Sequence, residues 1–240
     1  MNEILRFENV SSGYDRIRIL NGLSFTVAEG EILGVIGPNG SGKTTMLNTL
    51  AGLLRTLSGR IFLDGRDITA VTPYNRCRIG IGRTFQIPKP FSGMTVIENV
   101  LVASVHGAGL SGKEAAAVSE ECLEAVGLID RKNEKAGMLT LLDSKKLELA
   151  RAIATQAKLL LLDEVAAGLT EAEIEDITGL VSDLREKKLT VIWVEHILEV
   201  MKNSTDRLMC MAEGKNVICG APKEVIESDI VQEIYLGGKE

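Results

Sequence analysis

Residues Gly37 to Thr44, GPNGSGKT, have the spacing of a loop that binds a polyphosphate. Glycines in such a loop let the backbone curl, so that several N–H groups and a helix amino terminus point at one anion. Lys43 adds a cation, and Thr44 adds a hydroxyl that can bind Mg²⁺. The loop follows an apolar strand at 31–36 and precedes a helical stretch that ends near Ala51. We therefore predict a triphosphate site formed by Gly37, Pro38, Asn39, Gly40, Ser41, Gly42, Lys43, Thr44 and Thr45.

Two acidic residues stand at the end of a second buried strand, KLLLLD at 158–163. Asp163 is placed to hold Mg²⁺ through its water shell, and Glu164 is placed to orient or deprotonate an attacking water. Two acids at a strand end are by themselves typical of a solvated surface. Beside a phosphate loop, they predict hydrolysis of the triphosphate.

Composition and charge exclude several classes of protein. The 240 residues are 45% hydrophobic and 25% charged, which is typical of a folded globular chain and not of a disordered or collagenous one. The longest plain aliphatic run, Leu159 to Leu162, ends at Asp163, and the first residues show no secretory leader, so we expect a cytosolic protein without a membrane span. The net charge of −6 disfavours a broad nucleic-acid surface. Four scattered cysteines predict reduced, mostly buried thiols rather than zinc ligands or disulfides.

Apolar periodicity predicts an α/β chain with a helical insertion. Residues 4–10 and 20–27 are typical of an antiparallel strand pair, and a further buried strand is predicted at 190–195. The clearest predicted helices are 114–126, 145–156 and the segment containing Ile174 to Leu184. In the tail, two short strands are predicted around the turn AEGK, followed by a helix that begins at Pro222.

In this order, the motifs resemble the nucleotide-binding subunit of an ATP-binding cassette (ABC) transporter over essentially the whole chain. The resemblance implies an α/β fold, a P-loop NTPase (RecA-like) core with an antiparallel β subdomain and an inserted α-helical subdomain. It implies one ABC ATPase domain over 1–240, in which 1–94 and 158–240 form the core with its β subdomain and 95–157 form the helical subdomain. The implied cofactors are ATP and Mg²⁺.

The resemblance assigns roles to three more residues. Tyr14 stands where the family has an aromatic residue that stacks on adenine. Gln86, in GRTFQ, is similar to a glutamine that touches Mg²⁺ and the attacking water, and His196 is similar to a histidine that contacts the γ-phosphate. The predicted catalytic residues are Glu164, His196 and Gln86, and the predicted metal ligands are Thr44, Gln86 and Asp163.

The family signature, usually LSGGQ, departs from its pattern in this chain. The aligned residues 139–143 read LTLLD, so only the hydroxyl of Thr140 remains as a predicted nucleotide contact. In the family this segment closes over the ATP of the opposite subunit, and leucines in place of glycines restrict that approach. Two further positions depart from the family pattern: Val165 stands where the family usually has proline, and Thr170 stands where it usually has aspartate. These departures favour a heterodimer with a more regular paralogue, although self-association remains open.

The strings RTFQIPKPFSGMTVIENVLVA, AAGL and IYLGG resemble importers of branched-chain or hydrophobic amino acids, a group that includes urea-type systems. The implied partners are integral-membrane permease subunits, a second cassette subunit and, indirectly, a solute-binding protein, with no nucleic acid. The implied location is the inner face of the cell membrane, where the chain is held through the permease. Three alternatives stay open: the ATPase of a lipid or polysaccharide exporter, a regulatory module that does not hydrolyse ATP, and a non-transport ATPase acting on ribosomes or DNA.

Overall fold

A computed structural model describes residues 2–15 and 17–236 of the chain. It divides into two compact units, one built from the residues up to Pro73 and from Arg185 onward, the other from Tyr74–Leu184. The strands of the described residues are β1 (Glu3–Tyr14), β2 (Ile17–Ala28), β3 (Ile32–Ile36), β4 (Thr56–Leu63), β5 (Arg66–Asp67), β6 (Ile81–Arg83), β7 (Leu159–Asp163), β8 (Thr190–Val194), β9 (Arg207–Ala212) and β10 (Lys215–Gly220). The α-helices of the same residues are α1 (Lys43–Leu50), α2 (Pro73–Arg78), α3 (Val96–Val102), α4 (Gly112–Ala125), α5 (Leu141–Ala154), α6 (Glu171–Glu186), α7 (Leu198–Ser204), α8 (Pro222–Glu227) and α9 (Asp229–Leu236).

The first unit contains an antiparallel sheet in the order β2, β1, β4, β5. Its central pair is β1 with β2, in which Phe7 lies opposite Phe25 and the two rings stack with centroids 4.7 Å apart. Both rings are buried in the core, with Phe7 1% and Phe25 8% exposed. The predicted antiparallel pair is therefore confirmed, and its strands are longer than the apolar pattern indicated.

A second sheet of the first unit carries the elements that bear the candidate site. Its strands lie in the order β10, β9, β3, β8, with β3 parallel to both neighbours and β10 antiparallel to β9. All residues of β3 and β8 are buried, as expected for central parallel strands. Val35 pairs with Val194, so both strands end at the same edge of the sheet. The residues that follow them, from Gly37 and from Glu195, leave the sheet side by side.

The second unit combines the parallel pair β6 and β7 with the helices α3 to α6. Thr95 begins α3 with a reciprocal cap, because its hydroxyl accepts the Glu98 N–H while the Glu98 carboxylate accepts the Thr95 N–H. Helices α3, α4 and α5 pack on one another through apolar side chains such as Val100, Leu123 and Leu147. The predicted helical character of this segment is confirmed, whereas the predicted subdomain boundaries at 94/95 and 157/158 stay a prediction.

The predicted α/β architecture is observed, and the elements β4, β5, β6, α2, α7 and α9 of the described residues were not predicted. In β4, Gly59 and Arg60 interrupt the apolar alternation by which a strand is predicted. Among the described residues, no helix is both long and apolar enough to cross a membrane. The four cysteines are free thiols, of which Cys122 and Cys210 are buried.

Candidate functional site

The phosphate loop joins β3 to α1 in the first unit, as the sequence predicted. Its glycines at 37, 40 and 42 have φ angles of 147°, 79° and 103°, which residues other than glycine rarely adopt. Gly42 is the N-cap residue immediately before α1. The backbone therefore makes the curl that a chain of N–H groups around an anion requires.

Lys43 is the buried cation of this loop, with only 5% of its surface exposed. Its ammonium donates to the Gly37 carbonyl at 2.8 Å and to the Pro38 carbonyl at 3.0 Å. Thr44 beside it is exposed, whereas Ser41 and Thr45 are buried. The loop thus folds around its own lysine, and the carbonyl partners are ones that a phosphate oxygen could replace.

Tyr14 lies at the end of β1, beside the helix that follows the loop. The Asn48 side-chain amide of α1 donates to the Tyr14 hydroxyl at 2.8 Å. The tyrosine keeps 45% of its surface exposed. An exposed ring held by its hydroxyl can stack on a planar aromatic ligand such as a base.

His196 follows β8, at the sheet edge where the phosphate loop also begins. Its side chain is exposed, whereas Glu195 before it is buried. The Glu195 carboxylate accepts the indole N–H of Trp193 and the backbone N–H of His196, each at 3.4 Å. Trp193 is fully buried, as expected for a large aromatic residue on a central strand.

In the second unit, Asp163 ends β7 and is 2% exposed. Arg83 at the end of β6 donates to its carboxylate at 3.2 Å, and the Thr84 hydroxyl accepts the Asp163 N–H at 3.3 Å. The arginine was not predicted, although it stands in the same string GRTFQ as Gln86. It balances the buried charge of the carboxylate.

Glu164 and Gln86, two of the predicted catalytic residues, lie together in this unit. The Gln86 side-chain amide donates to the Glu164 carboxylate at 2.5 Å. Glu164 has a φ of 50°, a strained conformation for a residue that is not glycine, and the Lys145 ammonium donates to its carbonyl at 3.2 Å. Strain of this kind is common where a catalytic side chain must be aimed.

The predicted metal ligands, Thr44, Gln86 and Asp163, offer only oxygen donors to a cation. Within the part of the chain that the structure describes, no group of three histidine, cysteine or acidic residues could hold a metal by itself. Mg²⁺ commonly binds through one or two carboxylates together with waters and substrate phosphates. The Thr44 hydroxyl of the first unit, and the Gln86 and Asp163 oxygens of the second, are each donors of the kind that Mg²⁺ accepts.

Residues 139–143, which align with the family signature but differ from it, lie at the start of α5. Thr140 caps this helix: its hydroxyl accepts the Asp143 N–H at 3.2 Å and donates to the Asp143 carboxylate at 2.7 Å. Arg131 is ion-paired with the same carboxylate and with Glu134, and the latter hydrogen bond raises the pKa of Arg131. The Thr140 hydroxyl predicted to contact nucleotide is thus used inside its own helix cap.

Thr170 plays a similar local role at the start of α6. Its backbone N–H and its hydroxyl both donate to the Glu173 carboxylate at 2.8 Å, which lowers the pKa of Glu173. Val165, the other departure from the family pattern, is buried. Both residues are therefore accounted for by packing and helix capping.

A buried acid that the sequence did not single out holds the segment on both sides of Gln86. Glu148 on α5 is 5% exposed, and its carboxylate accepts the backbone N–H groups of Phe85 at 3.2 Å and Lys89 at 2.9 Å. Arg151, one turn later, donates to the Lys89 carbonyl at 3.0 Å and lies over the Phe91 ring. No pattern in the sequence indicates this, because the partners are about sixty residues apart.

Removing this acid tests whether it fixes the segment. We expect Glu148→Ala to lower the free energy of unfolding by about 2 kcal/mol, since it leaves two backbone donors without their acceptor. Urea denaturation measures this change, and proteolysis between Phe85 and Phe91 should become faster. The matched control is Glu120→Ala, an exposed acid paired with Lys132, which should change stability by less than about 0.5 kcal/mol. Equal midpoints for the two variants would contradict the assignment.

The sequence of this chain is similar to those of ATP-binding proteins of transport systems. The family model described as "ABC transporter" matches residues 20–167. A probable branched-chain amino acid transport ATP-binding protein of Archaeoglobus fulgidus is 36% identical over 251 residues, covering 99% of this chain and 97% of that protein. The ATP-binding protein of the lipopolysaccharide export system of Acidithiobacillus ferridurans is 33% identical, covering 99% and 98%.

Solved structures give the same result for the fold. A structure described as the ADP conformation of an ATP-binding cassette of an ABC transporter is 33% identical with a TM-score of 0.91, covering 99% of this chain and 100% of that one. A dimeric ATP-binding cassette in a post-hydrolysis state with ADP and phosphate is 26% identical with a TM-score of 0.81, covering 91% and 99%. The match extends over both units of this chain.

Proposed function

This chain belongs to the ABC transporter family and is an ATP-hydrolysing subunit of it, and on that premise we propose that it powers an amino-acid importer. In the proposed cycle, two cassettes close around two ATP molecules, and the closed pair favours one state of a membrane permease. Hydrolysis removes the bridging nucleotide and releases the pair. The name of the Archaeoglobus relative supports branched-chain amino acids as the solute class.

The proposed roles follow the geometry of each unit. In the first unit, the backbone of Gly37 to Thr45 and the Lys43 ammonium bind the phosphates, Tyr14 stacks on adenine and His196 contacts the γ-phosphate. In the second unit, Glu164 orients and deprotonates the attacking water, with Gln86 holding its carboxylate. The observation that carries the proposal is this Gln86–Glu164 hydrogen bond, because it orients the carboxylate of a residue whose backbone is strained.

Mg²⁺ is proposed as the metal, held by Thr44, Gln86 and Asp163 together with the nucleotide. When bound, it would neutralise charge that develops on the phosphate oxygens. Arg83 holds the Asp163 carboxylate in place for this task.

The proposed permease surface is the segment after Gln86. Ile87 is 71% exposed and Phe91 is 45% exposed, although both are large and apolar. Glu148 and Arg151 fix the backbone that presents them. An apolar segment on a rigid support is suited to transmit motion to a partner, and it would hold the chain at the inner face of the membrane. A solute-binding protein would act indirectly, on the permease.

The second cassette is proposed to be a paralogue with a regular signature. A signature that binds a partner's ATP needs a free hydroxyl and a helix amino terminus open to phosphate. Here Asp143 takes the Thr140 hydroxyl, and a carboxylate already stands at that helix end. A second phosphate approaching the same place would meet this negative charge.

ATP turnover by the purified chain over a range of protein concentrations tests this proposal. We expect tight MgATP binding with little turnover, since the chain alone supplies no competent signature. Repair of the signature, by Thr140→Ser with Leu141→Gly, Leu142→Gly and Asp143→Gln, should produce turnover per chain that rises with protein concentration. Equal, concentration-dependent turnover before and after repair would show that two copies of this chain form working sites, and the paralogue would be unnecessary. Absence of nucleotide binding would overturn the ATPase assignment itself.

A second candidate, the ATPase of a lipopolysaccharide exporter, is favoured by the Acidithiobacillus relative, whose name gives that system. Its identity to this chain is only slightly lower than that of the amino-acid relative. Both candidates assign the same role to every residue above, because the permease determines the solute and the direction. Stimulation of turnover by vesicles that contain one permease and not the other would separate them.

A further inference from the structure

The first residue of the phosphate loop is hydrogen-bonded to the last described helix of the chain. The Gly37 backbone N–H donates to the Tyr235 hydroxyl at 2.8 Å, although the two residues are 198 positions apart. Tyr235 lies on α9, one turn after Val231, which is buried. One face of α9 therefore both anchors the helix and reaches the loop.

Gly37 leaves no room for a side chain. A Cβ atom at this position would lie 2.1 Å from the Met211 carbonyl oxygen of β9 and 2.9 Å from the Ser41 hydroxyl. Its φ of 147° is available to glycine alone among the common residues. The Gly37 carbonyl accepts from Lys43, so both backbone polar groups of this residue are engaged.

The hydrogen bond from Gly37 to Tyr235 and the hydrogen bond from Lys43 to Gly37 are expected to behave differently when a triphosphate binds. Lys43 must turn its ammonium from the loop carbonyls to phosphate oxygens, and the bond to the Gly37 carbonyl is lost. The Tyr235 bond lies on the N–H of the first loop residue and does not compete with the ligand for Lys43. It can therefore hold the start of the loop while the lysine moves.

The middle of the loop is supported from another strand pair. Gly214, in the turn between β9 and β10, donates its N–H to the Ser41 carbonyl at 3.0 Å and accepts from the Asn21 N–H at 3.0 Å. A Cβ atom on Gly214 would lie 1.7 Å from the Ile19 carbonyl oxygen, so this turn is tightly packed. The loop is thus braced by a strand turn at Ser41 and by α9 at Gly37.

Two polar side chains beside the start of the loop are neutral. Burial raises the pKa of Tyr235 to about 12, and burial raises the pKa of Cys210, the β9 residue opposite Ile36, to about 11. A neutral hydroxyl accepts the Gly37 N–H without placing a negative charge below a site for polyphosphate. The brace therefore carries no electrostatic penalty for the ligand.

We propose that Tyr235 is a positioning residue for the phosphate loop, through which the carboxyl-terminal helix α9 raises the affinity for nucleotide. The inference rests on the proposed function, because it takes the loop to be a nucleotide site. A loop that is already ordered loses less conformational entropy when its ligand binds. Tyr235 belongs to the string IYLGG, whose Gly237 and Gly238 lie outside the described residues.

Titration calorimetry with the β,γ-imido analogue of ATP and Mg²⁺ tests the inference. Tyr235→Phe keeps the ring and removes only the hydroxyl, and we expect the affinity to fall about threefold to tenfold. The matched control is Tyr74→Phe, which removes an exposed hydroxyl that accepts from Arg78. Its affinity should equal that of the unchanged chain.

Melting temperatures with and without nucleotide separate positioning from general stability. We expect Tyr235→Phe to lower the melting temperature of the empty chain by a few degrees, because the buried Gly37 N–H loses its acceptor, and to gain less stability than the unchanged chain when the analogue is added. Unchanged affinity, with or without a lower melting temperature, would overturn the inference and leave the proposed function standing. No binding by the unchanged chain would instead overturn the proposed function, and the inference with it.

Discussion

Glu164→Gln is expected to lower the rate of ATP hydrolysis at least about 100-fold while nucleotide affinity changes little. The glutamine has the size of the glutamate, and its carbonyl oxygen can still accept from Gln86, so the geometry at the end of β7 is kept. What is lost is the basicity that deprotonates or orients the attacking water, a contribution of about 10²- to 10⁴-fold in general base catalysis. The measurement is phosphate release by the repaired-signature chain, in which turnover does not depend on an unidentified partner.

The control for this variant is Glu171→Gln, an exposed acid in the first turn of α6. It removes the same charge from the same unit without touching the Gln86–Glu164 pair, and turnover should be unchanged. If Glu164→Gln retained turnover within a factor of a few, another group would have to activate the water. The proposed role of Glu164 would then be wrong, although the nucleotide site could remain.

The phosphate loop could be predicted because local rules determine it. Gly37, Gly40 and Gly42 are needed wherever a loop must take positive φ angles, and an apolar strand and a helix flank them in the sequence itself. The order of motifs along the chain then indicated the fold, and the similar structures confirm it. Each of these features depends on residues close together in sequence.

The partners of the candidate site could not be predicted, because they come from distant positions. Arg83 and Asp163 are 80 residues apart in the sequence. No spacing rule predicts that the strands β6 and β7, which end at these residues, are neighbours in a sheet. In the sequence, Glu148 cannot be told from the other charged residues of its helix. In the structure it is buried, and its carboxylate accepts two backbone N–H groups. Burial of this kind is decided by tertiary packing and is not visible in composition or periodicity.

Thr140 differs from these cases, because the local sequence does predict its role. The pattern is that of a helix cap, but alignment with the family signature favours a different role. Thr140 and Asp143 have the spacing of a helix cap, in which a hydroxyl residue is followed by an acid three positions later. Aligned with the family signature, the same segment instead predicts a nucleotide contact by the Thr140 hydroxyl. The structure shows the cap, with the hydroxyl bonded to Asp143. A departure from a family motif can therefore carry a local structural rule of its own.

Lys43→Ala is expected to weaken nucleotide binding at least about 100-fold without destabilising the empty chain. The Lys43 ammonium is buried against the Gly37 and Pro38 carbonyls, so its desolvation offsets much of what those hydrogen bonds contribute to folding. In the complex it would meet phosphate charge, where charge-assisted hydrogen bonds are worth about 1.5 to 3 kcal/mol each. Titration with the β,γ-imido analogue measures the affinity, thermal melting measures the empty chain, and Lys146→Ala, a surface lysine near Asp176, is the control. An affinity within a few-fold of the unchanged chain would mean that backbone N–H groups alone bind the phosphates, and that Lys43 serves to close the loop.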